Sequence, residues 1–526
     1  MRRLENQVLI ELTKQQINFA SRDLSPIQVK ISQFFGIEIN DFAVAVAKTA
    51  LWIAEAQMWN ETKRIVKNLD EFLPLKSFNN IMEANALTLD WHEVVKPEEL
   101  NFIISNPPFR GARVMDSVQK AELNEIFKGW KNAGNLDYVS CWYKKSVDFM
   151  KENPKIRSAL VSTNSVCQGD SVATLWKPLF DDGIKINFAW RTFKWDSEAK
   201  EKAHVHVVIV GFAQVDSPVK KIFDGGNVIE ARNINAYLVD VPDVFVESRN
   251  KPLFSVPEIG IGNQPIDGGF YLFKEDEKRE FIAKEPNSAK YFRKWYGADE
   301  FINRRPRYCL YLGNCPPEEL RKMPECLKRV EVVKEYRLKS PSHGTVKLAE
   351  TPRKFHVTNI PTGNYIVIPQ VSSERRAYIP IGFMDSSVLC SDKLRLMPNA
   401  TLYHFGILTS RVHMALMRLR SCRLKSDYSY SNAIVYNNFP WPSPSEKQKS
   451  KIEATAKKIL EAREKFPESS LADLYDPLSM PEELSKAHKA NDAAVCEAYG
   501  FDKNISEEEI VSALMKLYEK ISKEGI

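Results

Sequence analysis

The stretch Ile103-Ile104-Ser105-Asn106-Pro107-Pro108-Phe109 (IISNPPF) runs a strand-like apolar pair straight into an amide side chain, two prolines and an aromatic ring. Branched aliphatic residues suit a strand, and proline ends one, because it has no N–H for the ladder and restricts the residue before it. The run therefore reads as a short strand with its polar residues gathered at the carboxyl end. In open α/β sheets ligands bind at that end of the strands.

The segments on either side repeat the pattern. Phe34 to Ile39 (FFGIEI) reads as a short buried strand, followed by an Ala-rich helix from Asp41 to Trp59 with Asp41 as its cap. Gly134 to Met150 (GNLDYVSCWYKKSVDFM) has helical spacing and Arg157 to Thr163 (RSALVST) is strand-like, while Lys185 to Trp190 and Val205 to Phe212 read as paired strands. Strands alternating with helices predict an α/β domain built on a mainly parallel sheet covered on both faces. After about residue 215 the composition shifts to short strand-like runs (YIVIPQV, RAYIPIGF), many prolines and arginine clusters, which predicts a separate mixed α+β domain with a basic surface. From about Ser445 the chain is rich in Lys, Glu and Ala and reads as helical, interrupted near Pro467 and Pro477. The expected domains are residues 1–215, 216–440 and 441–526.

Bulk properties exclude several classes. A chain of 526 residues with 44% hydrophobic and 27% charged residues is an ordinary globular protein, with room for two or three domains at roughly 150 residues each. The N-terminal MRRLENQVLIELTKQQ mixes charges into its apolar residues, unlike a signal peptide, and no later window approaches about 18 uncharged apolar residues. No membrane span and a cytoplasmic location are expected. The eight cysteines are scattered without a CxxC pair, which argues against a disulfide scaffold and a zinc ribbon and for small buried hydrophobes. A net charge of +6 says little about a polyanionic partner.

The chemistry of the motif is more telling. The exocyclic amino group of adenine or cytosine is a poor nucleophile because its lone pair is delocalised into the ring. Two acceptors aimed at its N–H bonds, the Asn106 side-chain oxygen and the Pro107 carbonyl, would localise that pair for methylation. Phe109 offers a face on which the base can stack, and the base must leave the duplex to be reached. An isolated NPPF is equally well a strand-terminating turn, so the neighbourhood decides. Glu38 ends the FFGIE strand, where a doubly wound fold places an acidic residue to bind two ribose hydroxyls. Asn85 and Asp90, in EANALTLDW, lie shortly before the NPPF strand, where a polar side chain can meet the adenine ring of a cofactor. Taken singly, each is an ordinary strand-end residue.

The series FFGIEIN, NALTLDW, FIISNPPF, GNLDYVSCWYKKS and VSTNSVCQGD resembles the amino-methyltransferase domain of the MmeI-like (type IIL) restriction–modification enzymes. The later stretches VSSERRAYIPIGF, YHFGILTSRVHMALMRLR, RLKSDYSYS and YNNFPWP are similar to that family's target-recognition and C-terminal regions. The resemblance implies a Rossmann-like class I methyltransferase sheet, S-adenosylmethionine as cofactor, and adenine N6 in duplex DNA as the methyl acceptor. It implies catalytic roles for Asn106, Pro107, Pro108 and Phe109, a ribose contact for Glu38 and an adenine contact for Asn85. It also implies that the FKW segment at 193–195 lends an aromatic ring to the flipped base, with Trp195 the candidate. Cytosine N4 methylation uses the same logic; Asn rather than Ser at the head of the motif favours adenine.

The chain departs from this family in two respects. The glycine-rich loop of the DPACGSG type, expected just before MRRLENQVLIEL, is absent, and none of the 21 glycines falls in such a cluster. Glycine lets backbone approach a ligand closely, so part of the cofactor pocket is expected to be missing. The family's upstream nuclease and helical regions are absent too. The expectation is the C-terminal part of a longer enzyme, either truncated or encoded as a separate piece beside a polypeptide that carries the loop and the nuclease, or a DNA-binding specificity subunit without catalysis of its own. A decayed, poorly folding remnant is the third possibility. Asp182 with Glu198-Ala199-Lys200 superficially fits a nuclease centre, and His204 and His206 alternate like a ligand pair, but turn and strand residues explain them better and no metal site is expected.

For DNA, arginine suits both phosphate and base edges through its bidentate fork. Glu374, Arg375 and Arg376 form one candidate reading loop. Arg418, Arg420, Arg423 and Lys425 form a second cluster, better suited to phosphates.

Overall fold

The computed structural model describes residues 1–14, 27–66, 80–195, 205–424 and 426–524. It divides into two compact units, one of residues 1–161 with 179–185 and 210–217, the other of residues 162–178, 186–209 and 218–526. The expected Glu198-Ala199-Lys200 segment, His204 and Lys425 lie outside the described residues, as does the side chain of Trp195.

In the first unit, helix α1 (Arg2–Lys14) precedes strand β1 (Gly36–Glu38), helix α2 (Asp41–Ile65) and strand β2 (Ile81–Glu83). Strands β1 and β2 pair in parallel with Glu38 opposite Glu83. Strand β1 is half-buried rather than fully buried, and α2 runs six residues past Trp59. The cap of α2 is Asn40, whose side chain accepts from the Ala43 N–H at 3.0 Å; the expected cap, Asp41, is the first helical residue. Strand β3 (Phe102–Ser105), helix α3 (Ser117–Ile126), helix α4 (Ser140–Met150) and strand β4 (Arg157–Thr163) follow. The helix expected over Gly134 to Met150 thus begins six residues later, after a single 3₁₀ turn at Ala133–Asn135. Strands β3 and β4 are parallel, pairing Phe102 with Arg157 and Ser105 with Leu160. Strand β4 starts and ends as the sequence predicts and buries Ser158, Leu160 and Ser162 alternately.

One feature of β3 is unusual for a parallel strand. Ile103 is buried, but Phe102 and Ile104 are 49% and 79% exposed, whereas parallel strands are ordinarily covered on both faces. Among the described residues β3 pairs on one side only, with β4.

The second unit holds most of helix α5 (Asp170–Asp181) and most of strands β6 (Val205–Ala213) and β5 (Lys185–Trp195), with all of β7 (Lys220–Asp224) and β8 (Asn227–Ala231); the four strands lie in that order in one sheet. The β7–β8 hairpin turns on Gly225 and Gly226, at φ 54° and 93°, the positive values that a tight two-residue turn needs. Beyond it come two four-stranded sheets. One is centred on Arg307–Leu310 and Phe292–Tyr296, the other on Tyr365–Pro369 and Leu394–Pro398. Of the two strand-like runs expected here, YIVIPQV gives the fully buried strand YIVIP, but RAYIPIGF contributes only its last two residues, to the strand Gly382–Met384, its proline breaking the ladder before that. Long helices Glu446–Glu464, Glu482–Tyr499 and Glu507–Glu524 close the chain. Seven of the eight cysteines are buried; Cys422 is exposed. Among the described residues no helix is long and apolar enough to cross a membrane.

Candidate functional site

Strand β3 delivers the NPPF motif at its carboxyl end. Asn106 is exposed and forms no hydrogen bond with any described residue, Pro107 is buried, Pro108 is exposed and Phe109 is half-buried. The buried proline anchors the turn, so the amide beside it is presented without being used up in the fold. The turn's far side is pinned by the Leu136-Asp137-Tyr138 stretch: the Tyr138 N–H donates to Arg110 O at 2.9 Å and the Ala112 N–H donates to Asp137 Oδ1 at 3.0 Å.

Glu38 stands at the carboxyl end of β1, half-buried, its Oε1 accepting from the Asn40 N–H at 3.1 Å. Its remaining acceptor positions suit a pair of hydroxyls. Asn85 is more committed. Its Oδ1 accepts from the Leu87 N–H at 2.9 Å and its Nδ2 donates to Glu122 Oε1 at 2.6 Å, leaving one N–H and one lone pair for a ligand. Asp90 caps the 3₁₀ turn Trp91–Glu93 by accepting from the His92 N–H at 3.0 Å and also meets His92 Nδ1 at 2.6 Å. The hydrogen bonds from His92 hold the Asp90 carboxyl below its usual range, and the hydrogen bond to Asp90 raises the His92 imidazole.

Sequence reading missed the residue that shapes this loop. Lys145 on α4 donates to the carbonyls of Ala86, Leu87 and Leu89 at 2.9, 3.2 and 2.6 Å and lies 5.3 Å from the Trp91 ring centroid. Half-buried there, its ammonium is pushed down from the ordinary lysine value by desolvation. The KK pair inside GNLDYVSCWYKKS was visible, but a lysine that binds carbonyls has no local signature; only the fold brings 86–89 to it.

In the second unit the DNA candidates are regrouped. Glu374 pairs with Arg423 at 3.0 Å, and Arg423 also donates to Ser426 O at 2.6 Å and lies 4.3 Å from the Tyr428 ring centroid. Arg418 donates to Glu507 at 2.8 Å and to Ala377 O at 2.7 Å. Arg375 is exposed, 3.7 Å from Asp476, and Arg376 is partly buried, its guanidinium lowered by desolvation. Arg420 corrects the phosphate assignment: fully buried, it donates to Asn438 O at 3.0 Å and packs over Tyr518, and burial pushes its pKa down to about 10. A cavity of about 310 Å³ in this unit is lined by Asn164, Gln168, Arg191, Arg418, Arg423 and Glu507, among others. Arg191, not singled out from the sequence, bridges Asp224 and Glu508 at 2.9 Å each. Asp182 is ion-paired with Lys151 at 2.9 Å and the buried His206 lies 3.6 Å from Glu374. Among the described residues no group of three His, Cys, Asp or Glu side chains converges as a metal site would require.

Comparison with known proteins adds a family. Residues 1–224 match the DNA-methyltransferase domain of MmeI, residues 240–443 its target recognition domain and residues 444–524 its C-terminal domain. The chain is 41% identical over 524 residues to DNA methyltransferase A of Bacillus subtilis (strain 168), covering 97% of this chain and 59% of that protein. It therefore spans less than two thirds of that relative's length. The solved structure of the type IIL restriction–modification enzyme MmeI in complex with DNA superposes with a TM-score of 0.89 at 42% identity, over 98% of this chain and 70% of that one. With all three domain models matched in order along nearly its whole length, this chain belongs to the MmeI family.

Proposed function

We propose that this chain is the methyltransferase and target-recognition portion of a restriction–modification enzyme, transferring a methyl group from S-adenosylmethionine to adenine N6 in duplex DNA. The observation that carries the reading is the Asn106 amide, exposed and unengaged beside a buried Pro107 at the end of a parallel strand. When bound, the cofactor supplies an electrophilic sulfonium methyl. The chain's own part is to accept the two amino N–H bonds at Asn106 Oδ1 and Pro107 O, to stack the base on Phe109 or the Trp195 ring, and to hold the extrahelical base away from water. Glu38 would hold the ribose and Asn85 the adenine of the cofactor, with Asp90 shaping the loop between them. In the second unit Glu374, Arg375, Arg376, Arg418, Arg423 and Lys425 are the candidates for DNA contact, with Arg375, the most exposed of those described, best placed to reach it. The working domain limits are 1–215, 216–440 and 441–526. A protein named as a DNA methyltransferase and a DNA-bound restriction–modification enzyme, both above 40% identity, support the same reading.

The test is transfer of labelled methyl from S-adenosylmethionine to mixed-sequence duplex DNA by the chain and by its Asn106→Ala variant. Incorporation by the chain should fall by about 100-fold or more in the variant, the scale of losing a group aimed at the reacting atoms. Equal incorporation by both proteins rules the assignment out. A second reading is favoured by the exposed Phe102 and Ile104 of β3: a separate polypeptide pairs along this strand and completes the cofactor pocket, the chain alone serving as a DNA-binding specificity subunit.

A further inference from the structure

The loop that carries Asn85 and the turn that carries Asn106 are joined by one carboxylate. Glu122, half-buried on α3, accepts from Asn85 Nδ2 at 2.6 Å through Oε1 and from the Tyr138 hydroxyl through Oε2. The same Tyr138 donates its backbone N–H to Arg110 O at 2.9 Å, directly behind the NPPF turn, and its neighbour Asp137 accepts from Ala112. Tyr138 is 5% exposed, so most of its ring is out of water. Its ring packs edge-on against Trp142, 5.5 Å between centroids, which fixes the direction of the hydroxyl. Helix α3 is itself firmly placed: Asp116 caps it by accepting from the Gln119 N–H at 2.9 Å, and Gln119 returns a bond to the Asp116 N–H at 3.2 Å. The result is a path of hydrogen bonds from Asn85 to Glu122 to Tyr138 to Arg110.

We propose that Glu122 and Tyr138 are positioning residues that couple the cofactor loop to the base-binding turn, so that ligand held at Asn85 orders the segment behind Asn106 before a base arrives. This rests on the functional reading above. The physical basis is that Asn85 can present its remaining N–H and lone pair to a ligand only in the orientation Glu122 sets. Fixing Asn85 therefore fixes Glu122, and through its other oxygen Tyr138 and the Arg110 carbonyl. A chain of hydrogen bonds running through a carboxylate in a partly desolvated place transmits such a constraint better than isolated contacts do. The GNLDYVS stretch thereby acquires a role that its helical spacing did not suggest.

Amide hydrogen exchange, read by mass spectrometry on peptides covering 84–90 and 106–113, tests this with S-adenosylmethionine as the added ligand. In the unsubstituted chain the cofactor should slow exchange at least about five-fold in both peptides, the lower end of ordinary coupling strengths. In Tyr138→Phe, which keeps the ring and the backbone N–H but removes the link to Glu122, it should slow 84–90 and leave 106–113 unchanged. Glu122→Ala, which removes both contacts, should likewise leave 106–113 unchanged, so that the outcome does not depend on one variant folding well. Protection of 106–113 that survives in both variants, or that is missing from the unsubstituted chain while 84–90 responds, overturns the coupling alone. No response in either peptide of the unsubstituted chain at millimolar cofactor overturns the functional reading and the coupling together.

Discussion

At the scale of single residues, Asp90 illustrates how a polar group that the sequence marks for a ligand is also put to local use by the fold. Its carboxylate caps a turn and holds His92, whose Nε2 lies 2.9 Å from Glu152 on its other side. The imidazole is thus flanked by two carboxylates, and its raised pKa has a definite sign in terms of stability. The favourable charge interaction is fully present below the unfolded histidine value near 6.5 and fades as pH rises through the higher folded value. The Asp90 contribution runs the other way, present above its ordinary carboxyl value and lost only as pH falls through the lowered one. A histidine-selective NMR titration should therefore find His92 above 6.5 in the chain and lower in Asp90→Asn, where only Glu152 still raises it. A His92 that titrates identically in both proteins would show that the Asp90 contact is not formed in solution.

At the scale of elements, the second unit depends on a buried cation whose side-chain hydrogen bonds all go to backbone carbonyls. Arg337, fully buried on helix Pro324–Leu338, donates to the carbonyls of Pro265, Ile266, Leu348, Thr351 and Lys354 at 2.7 to 3.0 Å. These acceptors engage all the N–H groups that a guanidinium has to offer. They tie two separate segments, 265–266 and 348–354, to one helix, including Ile266, a branched residue held at φ 49° where branched residues are rare. Arg337→Lys supplies three donors on a different geometry, leaving buried carbonyls unpaired. The expected cost is about 2–4 kcal/mol in chemical denaturation, and a loss under about 1 kcal/mol would show that water or repacking replaces the guanidinium. Arginine at this position gave no sign of such a role in the sequence, where it is one of many cations on a Lys/Glu-rich helix.

At the scale of the whole molecule, the question is what covers β3. Its exposed Phe102 and Ile104 immediately precede the proposed catalytic turn, and an apolar parallel edge is a template for another strand. The part of the Bacillus subtilis relative with no counterpart here, added as a separate polypeptide, should raise methyl incorporation at least ten-fold and protect β3 from hydrogen exchange; no complex and no change would leave the chain to act alone. Much of this molecule was legible before any coordinates. The NPPF strand and turn, the extent of β4, the C-terminal helices and the family motifs all follow from local rules: branched residues extend the backbone, proline ends a ladder, and helical periodicity needs only neighbours in the chain. The Gly225-Gly226 hairpin was equally legible as an Asp-Gly-Gly-Asn signal, though it was not singled out. The tertiary structure alone decided that Arg420 is a core residue, that Arg423 belongs with Glu374, that Lys145 clamps 86–89 and that Glu122 joins Asn85 to Tyr138. These contacts link positions 16 to 59 residues apart in the chain, and a charged side chain reads the same in sequence whether it faces water or a ring of carbonyls. Burial and partner choice arise only when distant segments meet, because the cost of desolvating a charge and the gain from pairing it are both set by the surroundings and not by the residue.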